Sequence, residues 1–217
     1  MDKPRETVPV SSRQTRQNYD RLSRWYDLFS ASERRFTLLG LRLLDLHAGE
    51  RVLELGPGTG HALQAMAQGG AGRVVGVELS SGMICQAQKR LSAIGRAGDV
   101  FLLQADALRI PLAAASFEAV FLSFTLELFP DPALPILLSE CRRVLAPGGR
   151  VGIVSLAADG SRPVQVYEWF HRRFPGLVDC RPLEIGQVLG QAGYHIENTT
   201  RKAIWGLPVD ILVARPL

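Results

Sequence analysis

From Arg51 onward, short apolar runs alternate with stretches in which apolar residues recur at helical spacing. Short apolar runs are typical of buried strands, and a repeat of 3.6 residues is typical of helices. The runs predict strands over Val52 to Leu55, Val74 to Glu78, Val100 to Gln104, Phe117 to Ser123, and Val151 to Leu156. Strands that alternate with helices build βαβ units, so the pattern predicts an α/β fold with a mostly parallel sheet.

Helices are predicted between these strands. One comes after the first strand and runs to about Gln68, and a second runs from about Gly82 to Ile94, with Ser80 or Ser81 available as its N-cap. A third carries apolar residues from Leu134 to Leu145 at helical spacing, and we expect the turn Pro147-Gly148-Gly149 to stop it.

The pattern changes on either side of this region. Arg13 to about Leu46 predicts two helices that cap the strand ends, and Pro163 to Phe174 predicts a second cap segment after the fifth strand. Leu183 to Ala192 predicts a further helix. The β-rich runs Tyr194 to Ile204 and Leu207 to Ala214 are close enough in sequence to form an antiparallel hairpin.

We expect a single domain in three parts. Residues 1–48 are the helical cap, residues 49–156 the ligand-binding core, and residues 157–217 the second cap segment, the last helix and the hairpin. Of the 217 residues 47% are hydrophobic, which is enough for one main core.

Charge and cysteine usage narrow the function classes. The net charge of +4 comes from basic residues that are scattered along the chain, so no nucleic-acid partner is indicated. Cys85, Cys141 and Cys180 lack C-x-x-C spacing, so we expect neither a disulfide framework nor a metal site. Met1 to Asp20 has no apolar signal region, and no stretch reaches the ~20 apolar residues of a membrane span, so a soluble cytoplasmic protein is expected.

A glycine-rich loop follows the first strand. Gly56, Gly58 and Gly60 are spaced by two and precede a helical pattern. The backbone can therefore turn sharply and present the free N–H groups of a helix start to a ligand, which predicts a nucleotide-like pocket. The dinucleotide fingerprint G-x-G-x-x-G is not met, because His61 stands where its last glycine belongs.

The run from Glu54 to Gly60 resembles the first motif, E-x-G-x-G-x-G, of the class I S-adenosylmethionine-dependent methyltransferases. Leu102 to Ser155 is similar to the core of the branch that includes the ubiquinone and menaquinone biosynthesis enzymes. Within it, Phe117 to Val120 corresponds to F-D-x-V, and Arg143 to Gly149 to R-V-L-x-P-G-G. Tyr19 to Asp27 is similar to the N-terminal YD…YD element of quinone and lipid methyltransferases.

This resemblance implies a fold and a cofactor. The fold is a Rossmann-like, seven-stranded, mostly parallel sheet of order 3-2-1-4-5-7-6, with strand 7 antiparallel, helices on both faces and an N-terminal helical cap. The cofactor is S-adenosylmethionine. Two departures are Glu118 for the customary aspartate, and Glu127-Leu128 where many relatives carry two histidines.

The predicted cofactor residues follow successive strands, because ligands bind outside the carboxyl ends of the strands in open α/β sheets. The resemblance places the glycine loop and Glu54 at the methionine part of the cofactor, and the N-terminal tyrosines over its sulfonium. Glu78 can accept hydrogen bonds from both ribose hydroxyls, and Asp106 can accept one from the adenine amine. The full set is Tyr19, Tyr26, Glu54, Gly56, Pro57, Gly58, Gly60, Glu78, Leu79, Met83, Asp106, Ala107, Leu108, Ser123 and Phe124.

Methyl transfer from a sulfonium needs mainly alignment and the exclusion of water. If the acceptor is a phenol or quinol carbon, a base must also remove its proton. Glu127 is the first candidate base, because it follows strand four on the acceptor side, and His171 in the second cap segment is the next. The aromatic face of Tyr26 would stabilise the sulfonium cation.

The leading hypothesis is a methyltransferase for a small or lipid-like acceptor, most similar to quinone C-methyltransferases. A phospholipid or small-amine N-methyltransferase is the alternative within this class. Alternatives of another class are a catalytically silent cofactor-binding module and a nicotinamide-dependent oxidoreductase, whose ribose Glu78 would equally fit. The glycine spacing disfavours the oxidoreductase.

Aromatic and basic residues mix in the second cap segment. Tyr167, Trp169, Phe170 and Phe174 accompany Arg172 and Arg173. Such a segment fits peripheral contact with an anionic membrane. It equally fits a helix whose aromatic side covers the pocket while its arginines face solvent. The oligomeric state is not indicated by the sequence.

Overall fold

The computed structural model describes residues 32–95, 100–173 and 180–217, except for the side chain of Arg172. Its strands are β1 (Arg51–Leu55), β2 (Arg73–Glu78), β3 (Val100–Gln104), β4 (Phe117–Ser123), β5 (Leu145–Leu156), β6 (Tyr194–Ile204) and β7 (Leu207–Pro216). They form one sheet of order β3-β2-β1-β4-β5-β7-β6. The first five strands are parallel and β7 is antiparallel to both of its neighbours. The predicted order and the antiparallel seventh strand are confirmed.

The helices of the described residues are α1 (Arg34–Leu44), α2 (His61–Gln68), α3 (Ser81–Ala93), α4 (Leu134–Val144), α5 (Arg162–Arg173) and α6 (Ile185–Gln191). Buried residues of α1, α2, α3 and α5 form one core cluster, and those of α4 and α6 form another. The sheet therefore has helices on both faces, as predicted. No helix in residues 32–95, 100–173 or 180–217 is long and apolar enough to cross a bilayer.

The two core clusters follow the period-two alternation of the strands. Phe121 packs with the α1 and α2 side, and its neighbour Leu122 packs with the α4 side. Both side chains are fully buried. Because successive side chains of a strand point to opposite faces, a continuous apolar strand is the pattern expected for a sheet that is covered twice.

Two of the differences between predicted and observed boundaries have a clear structural cause. The fifth strand begins at Leu145 rather than at Val151, because Leu145 already pairs with Phe117 and the intervening residues form an irregularity before Arg150 pairs with Ala119. The last helix begins at Ile185 rather than at Leu183, because Leu183 forms a parallel bridge with Ala157. The turn that was expected to stop α4 therefore lies inside a strand.

Helix α1 packs on one face of the sheet, and its first residues reach the carboxyl ends of the strands. A Cβ on Gly40 would collide with Val154, so the helix approaches the strands closely at this position. Arg150 holds its end: Nε donates to Leu44 O at 2.7 Å, and Nη2 pairs with Glu50 Oε2 at 2.8 Å. The first of the two predicted cap helices falls largely in residues 1–31, outside the described residues, and the three-part division of the domain stays a prediction.

Candidate active site

A cleft opens at the carboxyl ends of β1 and β4, where the strand order reverses. The chain leaves β1 towards β2 and β3 and then crosses to β4 on the other side of β1. Three segments line the cleft: the glycine loop with the start of α2, the end of β4, and residues 33, 34 and 37 at the start of α1. This is the place where open α/β sheets bind ligands.

The glycine loop depends on backbone angles that other residues disfavour. Gly56, Gly58 and Gly60 all have positive φ, at 66°, 54° and 84°. A Cβ on Gly56 would lie 2.7 Å from Thr125 Cγ2, and one on Gly60 would lie 2.9 Å from Ala87 Cβ. Glycine is therefore required here both for conformation and for close approach of the neighbouring segments.

Glu78 connects the loop to the end of β2. Its Oε2 accepts a hydrogen bond from the Gly58 backbone N–H at 3.1 Å, and its Oε1 accepts one from the Ser80 backbone N–H at 2.8 Å. Glu78 therefore holds the glycine loop against the end of β2.

Glu54 is a buried carboxyl group at the floor of the cleft. Its side chain is 3% exposed, and its Oε2 has no hydrogen-bond partner among the described residues. Burial and the nearby charge of Glu78 raise the pKa of Glu54 to about 8, and a hydrogen bond from the Leu63 backbone opposes this shift. A buried acceptor without a partner costs about 1–3 kcal/mol, so this oxygen is suited to receive a donor from a ligand.

The remaining predicted cofactor residues, which include the adenine residues, follow the ends of β2 and β3. Asp106 Oδ1 accepts a hydrogen bond from the Leu108 backbone N–H at 2.9 Å. Ala107 is buried, whereas Asp106, Leu108 and Leu79 are half-buried. Met83 is buried in the first turn of α3, where its backbone N–H donates to Ser80 Oγ at 3.2 Å. None of these five residues, and not Glu78 either, is among the described residues that line the cleft.

The end of β4 forms the other wall. Phe124 has φ of 51°, an unusual conformation for a bulky residue, and its ring meets Phe36 edge-on with centroids 6.5 Å apart. Ser123 Oγ and Thr37 Oγ1 form a hydrogen bond of 2.8 Å. Strain of about 1–3 kcal/mol at such a backbone is typical of functional sites.

Neither Glu127 nor His171, the two predicted catalytic residues within the described ranges, lines the cleft. Glu127 is 1% exposed and does not line the cleft; its Oε1 accepts from the Leu156 backbone N–H at 2.8 Å. Since β4 has ended at Ser123, this carboxyl takes the place of a strand partner for Leu156. His171 lies half-buried on α5 and also does not line the cleft. Tyr19 and Tyr26 lie outside the described residues.

The pKa of buried Glu127 is affected by a charge at the cleft. Its Oε2 has no hydrogen-bond partner among the described residues. Burial raises the pKa of Glu127 to about 8, hydrogen bonds including one from Leu156 lower it, and the charge of Glu33 raises it. Glu33 does line the cleft, and burial raises the pKa of its carboxyl to about 7.

Sequence reasoning missed Glu33, Arg34 and Thr37 as site residues. The available signal was the buried stripe of α1, in which Thr37 and Gly40 occur with Phe36 and Leu44. A hydroxyl and a glycine within an apolar stripe indicate a polar partner and a close neighbour. No group of three or more His, Cys, Asp and Glu side chains in the described ranges is arranged to hold a metal ion.

Comparison with known proteins gives consistent matches. A family model described as a methyltransferase domain matches residues 52–149. A demethylmenaquinone methyltransferase of Parafrankia sp. (strain EAN1pec) is 32% identical over 180 residues, covering 73% of this chain and 70% of that protein. O-methyltransferase rstn1 of Aspergillus nomiae is 32% identical over 171 residues, covering 78% of this chain and 75% of that protein.

A solved structure has the same fold. The Burkholderia thailandensis 1,6-didemethyltoxoflavin-N1-methyltransferase, with bound 1,6-didemethyltoxoflavin and S-adenosylhomocysteine, has a TM-score of 0.72. The match covers 100% of this chain and 93% of that one, at 18% identity. The likeness at this identity concerns the fold.

Proposed function

Because the chain belongs to the class I S-adenosylmethionine-dependent methyltransferases, we propose that it methylates an aromatic carbon of a quinol-type, lipid-like acceptor, with Glu33 as the base. The observation that carries this proposal is the Glu33 carboxyl in the cleft, next to the end of β4, with a pKa near 7. A base is most effective when its pKa lies near the working pH. The name of the Parafrankia relative, a demethylmenaquinone methyltransferase, supports an acceptor of this type.

The cofactor fits the residues at the cleft. The Oε2 atom of Glu54 lacks a partner among the described residues and would accept a hydrogen bond from the cofactor's ammonium group. A cation at that place favours the charged carboxylate, so binding would lower the raised pKa of Glu54. Glu78 would hold the ribose hydroxyls, and Asp106 the adenine amine. The bound cofactor supplies a methyl group on a positively charged sulfur.

The chain's own residues would align the acceptor and remove its proton. A new bond joins the methyl carbon to the ring carbon, and the bond from that methyl to sulfur breaks with its electron pair going to sulfur. The ring carbon must then lose its hydrogen as a proton, and the Glu33 carboxylate would accept it. Thr37, through its hydrogen bond to Ser123, would hold the start of α1 and thereby Glu33 in place.

Buried Glu127 would act as a positioning residue. It does not reach the cleft, but it fixes the loop after β4 to the end of β5 through Leu156. Burial is the main cause of the raised pKa of Glu127, and the charge of Glu33 adds to it. We therefore propose Glu33 as the base in place of Glu127, and Glu127 as a positioning residue.

The test compares Glu33→Gln with Glu127→Gln. The proteins would be incubated with a lipid extract and isotopically labelled S-adenosylmethionine, and the labelled product would be identified by mass spectrometry. We expect Glu33→Gln to lower kcat by ~10²–10⁴-fold with unchanged affinity for S-adenosylhomocysteine. A carbon-methylated quinol would support the proposal. Full activity of Glu33→Gln, or a methylated amine as the product, would contradict it.

A second candidate is methylation of a phenolic oxygen. The Aspergillus nomiae relative, an O-methyltransferase, is as similar in identity as the Parafrankia relative. A phenol also needs a base, so Glu33 would serve both reactions. Fragmentation of the labelled product separates them, because an aromatic methyl ether loses its methyl group whereas a ring methyl is retained.

A further inference from the structure

We propose that this chain docks on an anionic bilayer through an aromatic rim, formed by Val166, Trp169 and Phe170 of α5 together with Trp205 in the turn between β6 and β7. This surface goes beyond the proposed reaction, and its test does not depend on methyl transfer. The bilayer is inferred from the exposure, the backbone conformation, the position and the charge of these residues.

Helix α5 presents apolar side chains to solvent on one face. Val166, Trp169 and Phe170 follow at spacings of three and four residues and are all exposed, Trp169 by 55%. The rings of Trp169 and Phe170 meet edge-on, with centroids 5.1 Å apart. The opposite side of the helix is already used, since Val164 is buried in the core. The exposed apolar residues are therefore not needed to pack α5 against the core.

Trp205 occupies an unusual position for a large residue. It is 76% exposed, and its φ is 50°, followed by Gly206 with φ of 83°. Ile204 pairs with Leu207, so these are the two residues of a tight hairpin turn, where Asn-Gly is strongly favoured. A left-handed backbone at a bulky residue costs roughly 1–2 kcal/mol. A strained and exposed tryptophan at a hairpin tip points to a role outside the fold.

The rim lies at the same edge of the sheet as the cleft. Leu156, the last residue of β5, pairs with Val209, and Trp205 lies four residues further out along the hairpin. At ~3.3 Å per residue, the tip extends roughly 13 Å beyond the end of β5. Arg35 Nη2 donates to Ala203 O at 3.1 Å, which joins the hairpin to the helix that lines the cleft. Docking through the rim would therefore place the cleft near the bilayer surface.

The charges around the rim favour an anionic surface. Arg162 and Arg173 are exposed near the two ends of α5, and Lys202 is exposed on the hairpin. The acidic residues of α5 and the segment before it are Asp159, which is exposed, and Glu168, which is half-buried. On the hairpin, Asp210 is buried and paired with Arg201, and Glu197 pairs with Arg215 at the end away from Trp205. Each Lys or Arg near an anionic membrane contributes about 1 kcal/mol, and Trp is enriched at the membrane interface.

An open depression adds to the exposed face of α5. It has a volume of about 310 Å³ and is lined by Arg162, Gln165, Val166 and Trp169. A cation at one side and an indole at the other suit the boundary between lipid head groups and acyl chains.

Vesicle co-sedimentation tests the proposal with the full chain. Vesicles of phosphatidylcholine alone would be compared with vesicles that also contain phosphatidylglycerol, at low and high salt. We expect binding only to the anionic vesicles, weakened by salt. Trp169→Ser and Trp205→Asn should each lower the partition coefficient by at least tenfold. Trp205→Asn should not lower the thermal midpoint, because Asn tolerates the left-handed backbone.

Phe101→Ser is the matched control. Phe101 is also a large exposed aromatic residue, at 52%. It lies on β3, the edge strand farthest from the hairpin of β6 and β7. Its replacement should leave vesicle binding unchanged. Equal binding to both vesicle types, or equal losses in Phe101→Ser and Trp205→Asn, would overturn the proposal. So would unchanged vesicle binding by Trp205→Asn together with loss of a dimer in sedimentation, because the rim would then join two copies of the chain.

Discussion

The Gly58 backbone N–H donates a hydrogen bond to Glu78 Oε2 at 3.1 Å, so the glycine loop after β1 is held by the carboxylate at the end of β2. One residue therefore serves two purposes, since the same carboxylate is expected to bind the cofactor's ribose. The carboxylate that is expected to bind the ribose thus also holds the glycine loop in place before the cofactor binds.

Replacement of Glu78 by Gln should weaken cofactor binding. One amide oxygen cannot reproduce the two acceptor oxygens that contact Gly58 and Ser80, and the amide NH₂ would face an N–H donor. We expect the affinity for S-adenosylhomocysteine, measured by calorimetry, to fall by ~10–100-fold, equivalent to roughly 1.4–2.8 kcal/mol.

The control for this variant is Glu118→Gln. Glu118 pairs with Arg51 in a partly exposed ion pair at the opposite end of the sheet. Exposed pairs contribute at most ~1 kcal/mol to stability, and cofactor affinity should stay unchanged. Equal affinities for the wild type and Glu78→Gln would show that Glu78 does not contact the ribose.

Gly56→Ala should destabilise the protein more than Gly70→Ala. Both glycines have positive φ, but the new Cβ meets Thr125 at position 56 and open space at position 70. Gly70→Ala thus reports the backbone effect alone, about 1 kcal/mol. Gly56→Ala adds the steric conflict, and we expect a total loss of ~2–4 kcal/mol in denaturant unfolding, with loss of cofactor binding. Equal losses for the two variants would refute close packing between the loop and Thr125.

Glu127 should make stability depend on pH. Its pKa is raised from 4.5 to about 8 in the folded protein, so between these values the folded state binds a proton that the unfolded state has lost. Stability contributed by this group is present below pH 4.5 and is lost as the pH rises towards 8, with a slope of up to ~1.4 kcal/mol per pH unit. Glu127→Gln should match the wild type near pH 5 and exceed its unfolding free energy at pH 8.

Denaturant unfolding between pH 5 and pH 9 measures this effect. Some slope should remain in Glu127→Gln, because the pKa values of Glu54 and Glu33 are raised as well. Glu118→Gln should keep the full slope, since Arg51 lowers the pKa of Glu118. Parallel curves for the wild type and Glu127→Gln would mean that Glu127 is ionised in the folded protein.

Thr37→Val should uncouple α1 from the end of β4. It removes the hydroxyl that bonds to Ser123 at 2.8 Å, at an expected loss of ~1 kcal/mol in unfolding free energy. We also expect kcat to fall, because Glu33, the proposed base, lies one helical turn before Thr37. Thr37→Ser keeps the hydroxyl and should behave as the wild type. A double-mutant cycle with Ser123→Ala isolates the pair, and a coupling energy of zero would exclude this role.

The parallel sheet could be predicted because its strands are buried on both faces and read as continuous apolar runs. The start of β5 could not: Pro147, Gly148 and Gly149 signal a turn, but Leu145 pairs with Phe117 through a contact that no local pattern reveals. The same holds for Glu33. Its role follows from the position of α1 at the strand ends, and sequence spacing carries no information about that position.

The glycines of the loop and the carboxylates at the strand ends could be predicted, because local interactions determine them. Gly56 and Glu54 lie in a strand and the turn after it, where local geometry and chemistry determine the residue type. Glu127 was correctly located after β4, but its burial depends on β5 and on Leu156, which lie 29 residues later. Direct contact with an acceptor could not be distinguished from a structural role by sequence alone.

Helix α1 has a consequence for how specificity could change in this fold. The segment matched by the family model is residues 52–149, whereas Glu33 and Thr37 lie before it. The proposed base and the glycine loop would then be encoded in separate stretches of the gene. A chimaera that exchanges α1 between two homologues should exchange their acceptors while keeping the same methyl donor.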